Sequence, residues 1–195
     1  MNGFAEDNAP YAAPMTKAEF CRFAERAEGK YEWKGGRVVQ MTNVSRAHAR
    51  IVTNFIRVFS SLLDIDRWSV FANDFGVETD DAIRYPDIVV EPFEDDEKGK
   101  RSCRPAVLVE VLSPSTSGTD FIEKLQEYCT FETLQAYIVA SQDEAIVWVW
   151  QRDAASGAFP AKPQEIAGRE AAVELAALGL SLPMAELYRG IKTGQ

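Results

Sequence analysis

Two carboxylates and one lysine stand out as residues able to do chemistry. Glu110 interrupts an otherwise apolar run, Ala106-Val107-Leu108-Val109-Glu110-Val111-Leu112. An ionised group on a buried strand costs on the order of several kcal/mol unless a cation meets it. Asp87 follows Tyr85-Pro86, and Lys124 lies four residues from both Asp120 and Tyr128 and three from Phe121. The chemistry this suggests is a hard divalent cation, Mg²⁺ or Mn²⁺, shared by Asp87 and Glu110. A backbone carbonyl, that of Val111, and waters would complete an octahedral shell at about 2.0–2.1 Å. Beside it, Lys124 could orient an attacking water or stabilise charge developing on a phosphoryl group. The alternatives are plain ones. Lys124 can lie along its helix and pair with Asp120, and Glu110 can be a structural ion-pair partner. Glu32, between Tyr31 and Trp33, can be a hairpin surface residue, and His48 a satisfied helix-edge residue. The Ser113-Pro114-Ser115 loop can be a turn or shape an anion pocket.

These residues need elements to position them. Strand alternation points Leu108, Glu110 and Leu112 to one face and Val107, Val109 and Val111 to the other. Asp87 is expected early in a strand running from Arg84 to Glu91; if that strand neighbours 106–112, both carboxylates reach one ion. A helix starting at Asp120 and running to about Glu132 would carry Lys124. Upstream, Thr16-Lys17-Ala18-Glu19 is a capping box, followed by Phe20, Phe23, Ala24 and Ala27 at helical spacing and by Gly29. Lys30 to Lys34 and Arg37 to Thr42 flank Gly35-Gly36, the pattern of a tight hairpin. Ser45 to Leu63 is an amphipathic helix striped by Ile51, Phe55, Phe59 and Leu62. Strands are expected at Trp68–Ala72, Phe75–Glu78, Gln135–Ala140 and Ala145–Gln151, with Glu94 to Arg101 a charged loop. After Asp153 the expectations thin to a short strand at Ala171–Leu175 and a helical turn or two at Pro183–Tyr188. Residues 1–14 read as a flexible tail and 15–195 as a single α/β domain.

The chain of 195 residues carries a net charge of −9, which argues against broad, non-specific affinity for nucleic acid. The charge is uneven, though. From Thr16 to Arg50, eight basic residues oppose four acidic ones, a local +4. No apolar run approaches the ~20 residues that span a bilayer, and the N-terminus lacks a basic-then-apolar signal. Cys21, Cys103 and Cys129 have no metal-ligand spacing and read as free thiols in a reducing cytoplasm.

Tyr31-Glu32, a glycine turn, a helix carrying His48, Pro86-Asp87, Glu110-Val111-Leu112-Ser113-Pro114-Ser115-Thr116 and Asp120-x-x-x-Lys124-x-x-x-Tyr128 occur in a characteristic order. That order resembles the Uma-type family of bacterial restriction endonucleases, a branch of the PD-(D/E)XK nuclease superfamily. The likeness runs from Thr16 to Arg152 and is weaker beyond. It implies a restriction-endonuclease-like mixed central sheet flanked by helices, with an N-terminal helix and hairpin, and Mg²⁺-dependent hydrolysis of phosphodiester bonds in DNA. By position, Asp87 and Glu110 would be the metal carboxylates and Glu32 the acid from the N-terminal part. Leu112 stands where the superfamily's lysine would be, and Lys124 on the next helix would replace it. Where the family hairpin reads aspartate-glycine-glutamate, this chain has Gly35-Gly36-Arg37. The rival reading is a catalytically inactive binding or assembly protein that kept the fold; a third is hydrolysis of another phosphodiester. A homodimer would match the two strands of a duplex.

Overall fold

The computed structural model describes residues 13–41, 43–112 and 118–192, the side chains of 118–121 apart. The tail expected at 1–14 therefore lies, except for 13 and 14, outside the described residues. Helix α1 (Lys17–Ala24) opens with the expected capping box, in which Thr16 and Glu19 satisfy each other's end-of-helix donors. Strands β1 (Tyr31–Lys34) and β2 (Arg37–Gln40) form the hairpin. Gly35 and Gly36 take φ of 51° and 92°, values that L side chains rarely adopt. Ser45 caps α2 (Arg46–Leu62) by accepting the His48 amide. Then come β3 (Trp68–Ala72), β4 (Gly76–Glu78), β5 (Ala82–Arg84), β6 (Ile88–Pro92), β7 (Arg101–Ser102) and β8 (Val107–Val111). Helix α3 (Gly118–Tyr128) leads to β9 (Ala136–Ala140) and β10 (Ile146–Gln151). The chain ends with β11 (Gln164–Ala167), β12 (Ala172–Leu175), β13 (Leu180–Pro183) and α4 (Met184–Leu187).

The central sheet has the order β11-β10-β9-β8-β6-β3, in which only β8 and β9 are parallel. Parallel neighbours need a crossover, and α3 lies within it. A smaller sheet runs β2-β1-β5-β4-β7, and β12 pairs with β13. The two faces of β8 fill as alternation requires. Val107, Val109 and Val111 join Ile51, Phe55 and Phe59 of α2, with Leu182, Leu187 and Tyr188 from the C-terminal ribbon and α4. Leu108 joins Tyr128, Leu134, Tyr137 and Val139 on the opposite face. Helices thus cover both faces of a mixed sheet, the architecture expected.

Three expectations need correction. The strand expected from Arg84 to Glu91 is two strands, β5 in the small sheet and β6 in the central one, separated by a bend at Tyr85-Pro86-Asp87. Proline has no N–H for either ladder, so the chain changes sheets there. β11 and β13 lie where no strand was expected, their short segments being set between glycines and prolines. Helix α3 spans Gly118–Tyr128, starting before Asp120 and stopping short of Glu132.

Candidate functional site

β6 and β8 are antiparallel neighbours with Ile88 opposite Val109, so continuing the register sets Asp87 beside Glu110. Asp87 sits at the bend just before β6. Its Oδ2 accepts the Val111 amide at 2.7 Å and its Oδ1 lies 2.9 Å from His48 Nε2. Carboxylates accept and do not donate, so Nε2 carries the hydrogen in that contact. Glu110, on the α3 side of β8, accepts on Oε1 from Lys124 Nζ and from the Tyr128 hydroxyl, each at 3.1 Å. The (i, i+4) spacing of Lys124 and Tyr128 puts both on one face of α3. Glu32, on β1, accepts from Arg84 Nη1 at 2.8 Å and from the Tyr85 amide at 3.1 Å. Arg84 also forks onto Glu127, at 2.8 and 3.0 Å.

Electrostatics draw these groups into one unit. Burial raises the Glu110 carboxyl; Lys124 opposes the rise while the charges on Asp87 and Glu32 add to it, and the result is about 7. Burial works the same way on Glu32, but Lys124, Arg84 and the Tyr85 amide outweigh it and hold that carboxyl below its usual range. Burial, then the Glu110 charge, pushes the Tyr128 phenol well above its usual range, so it stays a donor. The site side chains are all largely shielded: those of Glu110 and Lys124 are 14% and 11% exposed, and those of Asp87 and His48 12% and 5%.

The structure therefore brings together all four expected residues, Asp87, Glu110, Lys124 and Glu32, with the Val111 backbone bound to Asp87. Among the described side chains Lys124 meets Glu110, across the crossover; those of Asp120, Phe121 and the Ser113-Pro114-Ser115 loop lie outside that set. Spacing alone left three contributors unassigned. By spacing His48 is a lone histidine near an apolar stripe, and the family likeness adds its place in the motif order without a role. Arg84 and Glu127 carried no signal, because their pairing spans 43 residues. The basic segment is partly spent: Lys17, Lys30 and Lys34 pair with Glu78, Asp74 and the Glu123–Glu127 pair, while Arg50 donates to the Gly190 carbonyl.

The comparisons agree with this architecture. Residues 18–185 match the Uma2 family model, described as "Putative restriction endonuclease". The chain belongs to the Uma2 family. An uncharacterised Synechocystis protein is 26% identical over 187 residues, covering 94% of this chain and 96% of its own. A crystal structure from Anabaena variabilis, titled as a putative nuclease of DUF820, superposes with a TM-score of 0.73 at 20% identity, covering 90% of this chain and 98% of that one. At that identity the likeness speaks for the fold. No described helix is long and apolar enough to cross a membrane.

The Uma2 site suits a hard divalent cation in its donor chemistry. Asp87, Glu110 and Glu32 crowd negative charge together; burial first, and then the charges of Asp87 and Glu32, raise the Glu110 carboxyl despite Lys124. A cation would relieve it. Among the described residues no cluster of three His, Cys, Asp or Glu is arranged as a ready-made cage. Two carboxylates with the remaining positions left to water and substrate is the usual manner of Mg²⁺.

Proposed function

We propose that this Uma2 protein is a metal-dependent endonuclease that hydrolyses phosphodiester bonds of DNA in the cytoplasm. Asp87 and Glu110, with the Val111 backbone, would hold Mg²⁺ or Mn²⁺. The observation carrying the reading is that Asp87, at the bend before β6, falls beside Glu110 of the neighbouring β8, whose carboxylate meets the Lys124 brought over by the β8–α3–β9 crossover. When bound, the ion would supply a more acidic water and positive charge for phosphate oxygens.

The chain's own groups do the rest. Val111 and His48 orient Asp87, and Tyr128 and Lys124 fix one oxygen of Glu110. Lys124 sets a cation beside the place where an anionic phosphoryl group would sit, which favours charge developing there. Glu32 adds its charge to the field that steadies that cation and clasps the Tyr85 amide, holding the bend that carries Asp87. A homodimer would place two such sites on the two strands of a duplex.

Incubation of plasmid DNA with the protein and Mg²⁺ or Mn²⁺ should give cleavage that Asp87→Ala and Glu110→Ala both reduce to background. Cleavage unchanged in both variants would remove this site from the mechanism. The net charge of −9 favours the rival, a non-catalytic binding or assembly protein. Saturable Mn²⁺ binding abolished by Glu110→Ala supports the enzyme, and no binding at millimolar metal supports the rival.

A further inference from the structure

His48 is the chain's one histidine, and it reaches Asp87 from α2, which packs on the face of the central sheet opposite to the lysine-bearing helix. Its position is built with care. Ser45 caps α2 by accepting the His48 amide at 3.1 Å, and the same hydroxyl contacts Gln142 Oε1 at 2.5 Å, tying the helix start to the loop after β9. The ring is buried, at 4% exposure for the residue. One nitrogen meets Asp87 Oδ1, while the other, Nδ1, is buried without a hydrogen-bond partner among the described residues.

A side chain kept merely to fill space here would be cheaper without polar atoms, since a buried unpartnered nitrogen is a cost that an aliphatic group avoids. The imidazole is thus accounted for by its one satisfied contact. That contact has a definite geometric effect. With Nε2–H on Oδ1 and the Val111 N–H on Oδ2, the Asp87 carboxylate is held at both oxygens and cannot swing about its terminal bond. The remaining lone pairs then face a fixed direction.

We propose that His48 is a positioning residue for the metal carboxylate: its Nε2–H sets the orientation in which Asp87 meets the divalent ion. The inference rests on the proposed metal role of Asp87. Outer hydrogen-bond partners of metal ligands typically change metal affinity 10–100-fold.

Mn²⁺ binding to the full chain, followed by electron paramagnetic resonance without DNA, tests it. His48→Ala should weaken binding at least about 10-fold. His48→Gln, whose amide N–H can stand in for Nε2–H, should recover most of the loss. Thermal unfolding of both variants reports packing separately. Wild-type affinity in folded His48→Ala, or an equal loss in His48→Ala and folded His48→Gln, overturns the inference. Should His48→Ala fail to fold, the wild type labelled with ¹⁵N-histidine decides, because it has a single imidazole. A proton on Nε2 whose resonance shifts on adding Mg²⁺ supports the role; a bare Nε2, or one indifferent to Mg²⁺, overturns it. If the wild type binds no Mn²⁺, the metal reading falls and this inference with it. That outcome differs from a wild type that binds and a variant that binds equally well.

Discussion

Glu110 is the residue at which function and stability pull apart. Its carboxyl is raised from the ordinary 4.5 to about 7, chiefly by burial. The folded state therefore holds the Glu110 proton more tightly than the unfolded chain does. The stability linked to that proton is fully present below about pH 4.5 and is lost as pH rises through about 7. Glutamine cannot ionise, so Glu110→Gln should stabilise the metal-free protein at pH 8 by on the order of 3 kcal/mol, while removing cleavage. Urea unfolding in a chelator at pH 8 and at pH 4.5 checks this: the gain should shrink strongly at the lower pH. A variant less stable than wild type at pH 8 would mean that Lys124 already offsets the burial of this charge. The (i, i+4) relation of Lys124 to Tyr128 was legible in the sequence. Their shared target was not, because Glu110 lies 14 and 18 residues away.

Among the elements, α3 matters most, since it carries Lys124. It is fastened to the small sheet through Glu127, which receives Arg84, while Arg84 also holds Glu32. The Arg84 side chain is 7% exposed, so these are buried ion pairs. Arg84→Met would leave two acids without their cation and should destabilise the protein by roughly 3–5 kcal/mol. It should also lower cleavage by loosening both α3 and the bend before Asp87. Lys34 reaches Glu123 and Glu127 from the hairpin, but its side chain is 40% exposed. Lys34→Ala should cost no more than about 1 kcal/mol. Denaturant titration of the two variants separates these cases, and equal losses would show that the buried fork is not what secures the helix.

At the scale of the whole molecule, the question is how an acidic protein would engage a polyanion. The basic N-terminal third loses three lysines to ion pairs and Arg50 to a backbone carbonyl. Exposed arginines at 22, 26, 37 and 46 remain as candidates for phosphate contacts. Four contacts on duplex DNA give a log–log salt slope of magnitude about 3–4. Fluorescence anisotropy with a labelled duplex should find a slope no steeper than that, and Arg37→Ala should reduce it by about 1 if that side chain meets a phosphate. A much steeper slope would point to a basic surface made by pairing two copies.

The sequence alone determined what depends on residues within about one helical turn. The Thr16–Glu19 capping box, the glycine hairpin, the alternation of β8 and the stripe of α2 as far as Phe59 all follow from such neighbours and stand in the structure, while Leu62, expected in that stripe, is exposed at the helix end. The likeness of its ordered motifs to the Uma2 pattern also marked Asp87, Glu110, Lys124 and Glu32 as one set. The tertiary structure decided where the chain changes sheets and which distant group each charge meets. Whether Tyr85-Pro86-Asp87 continues a strand or turns depends on which ladder can do without an N–H. Whether a buried carboxylate finds a lysine, an arginine or a histidine depends on chain returning from 14 to 52 residues away. Local periodicity carries no record of that return.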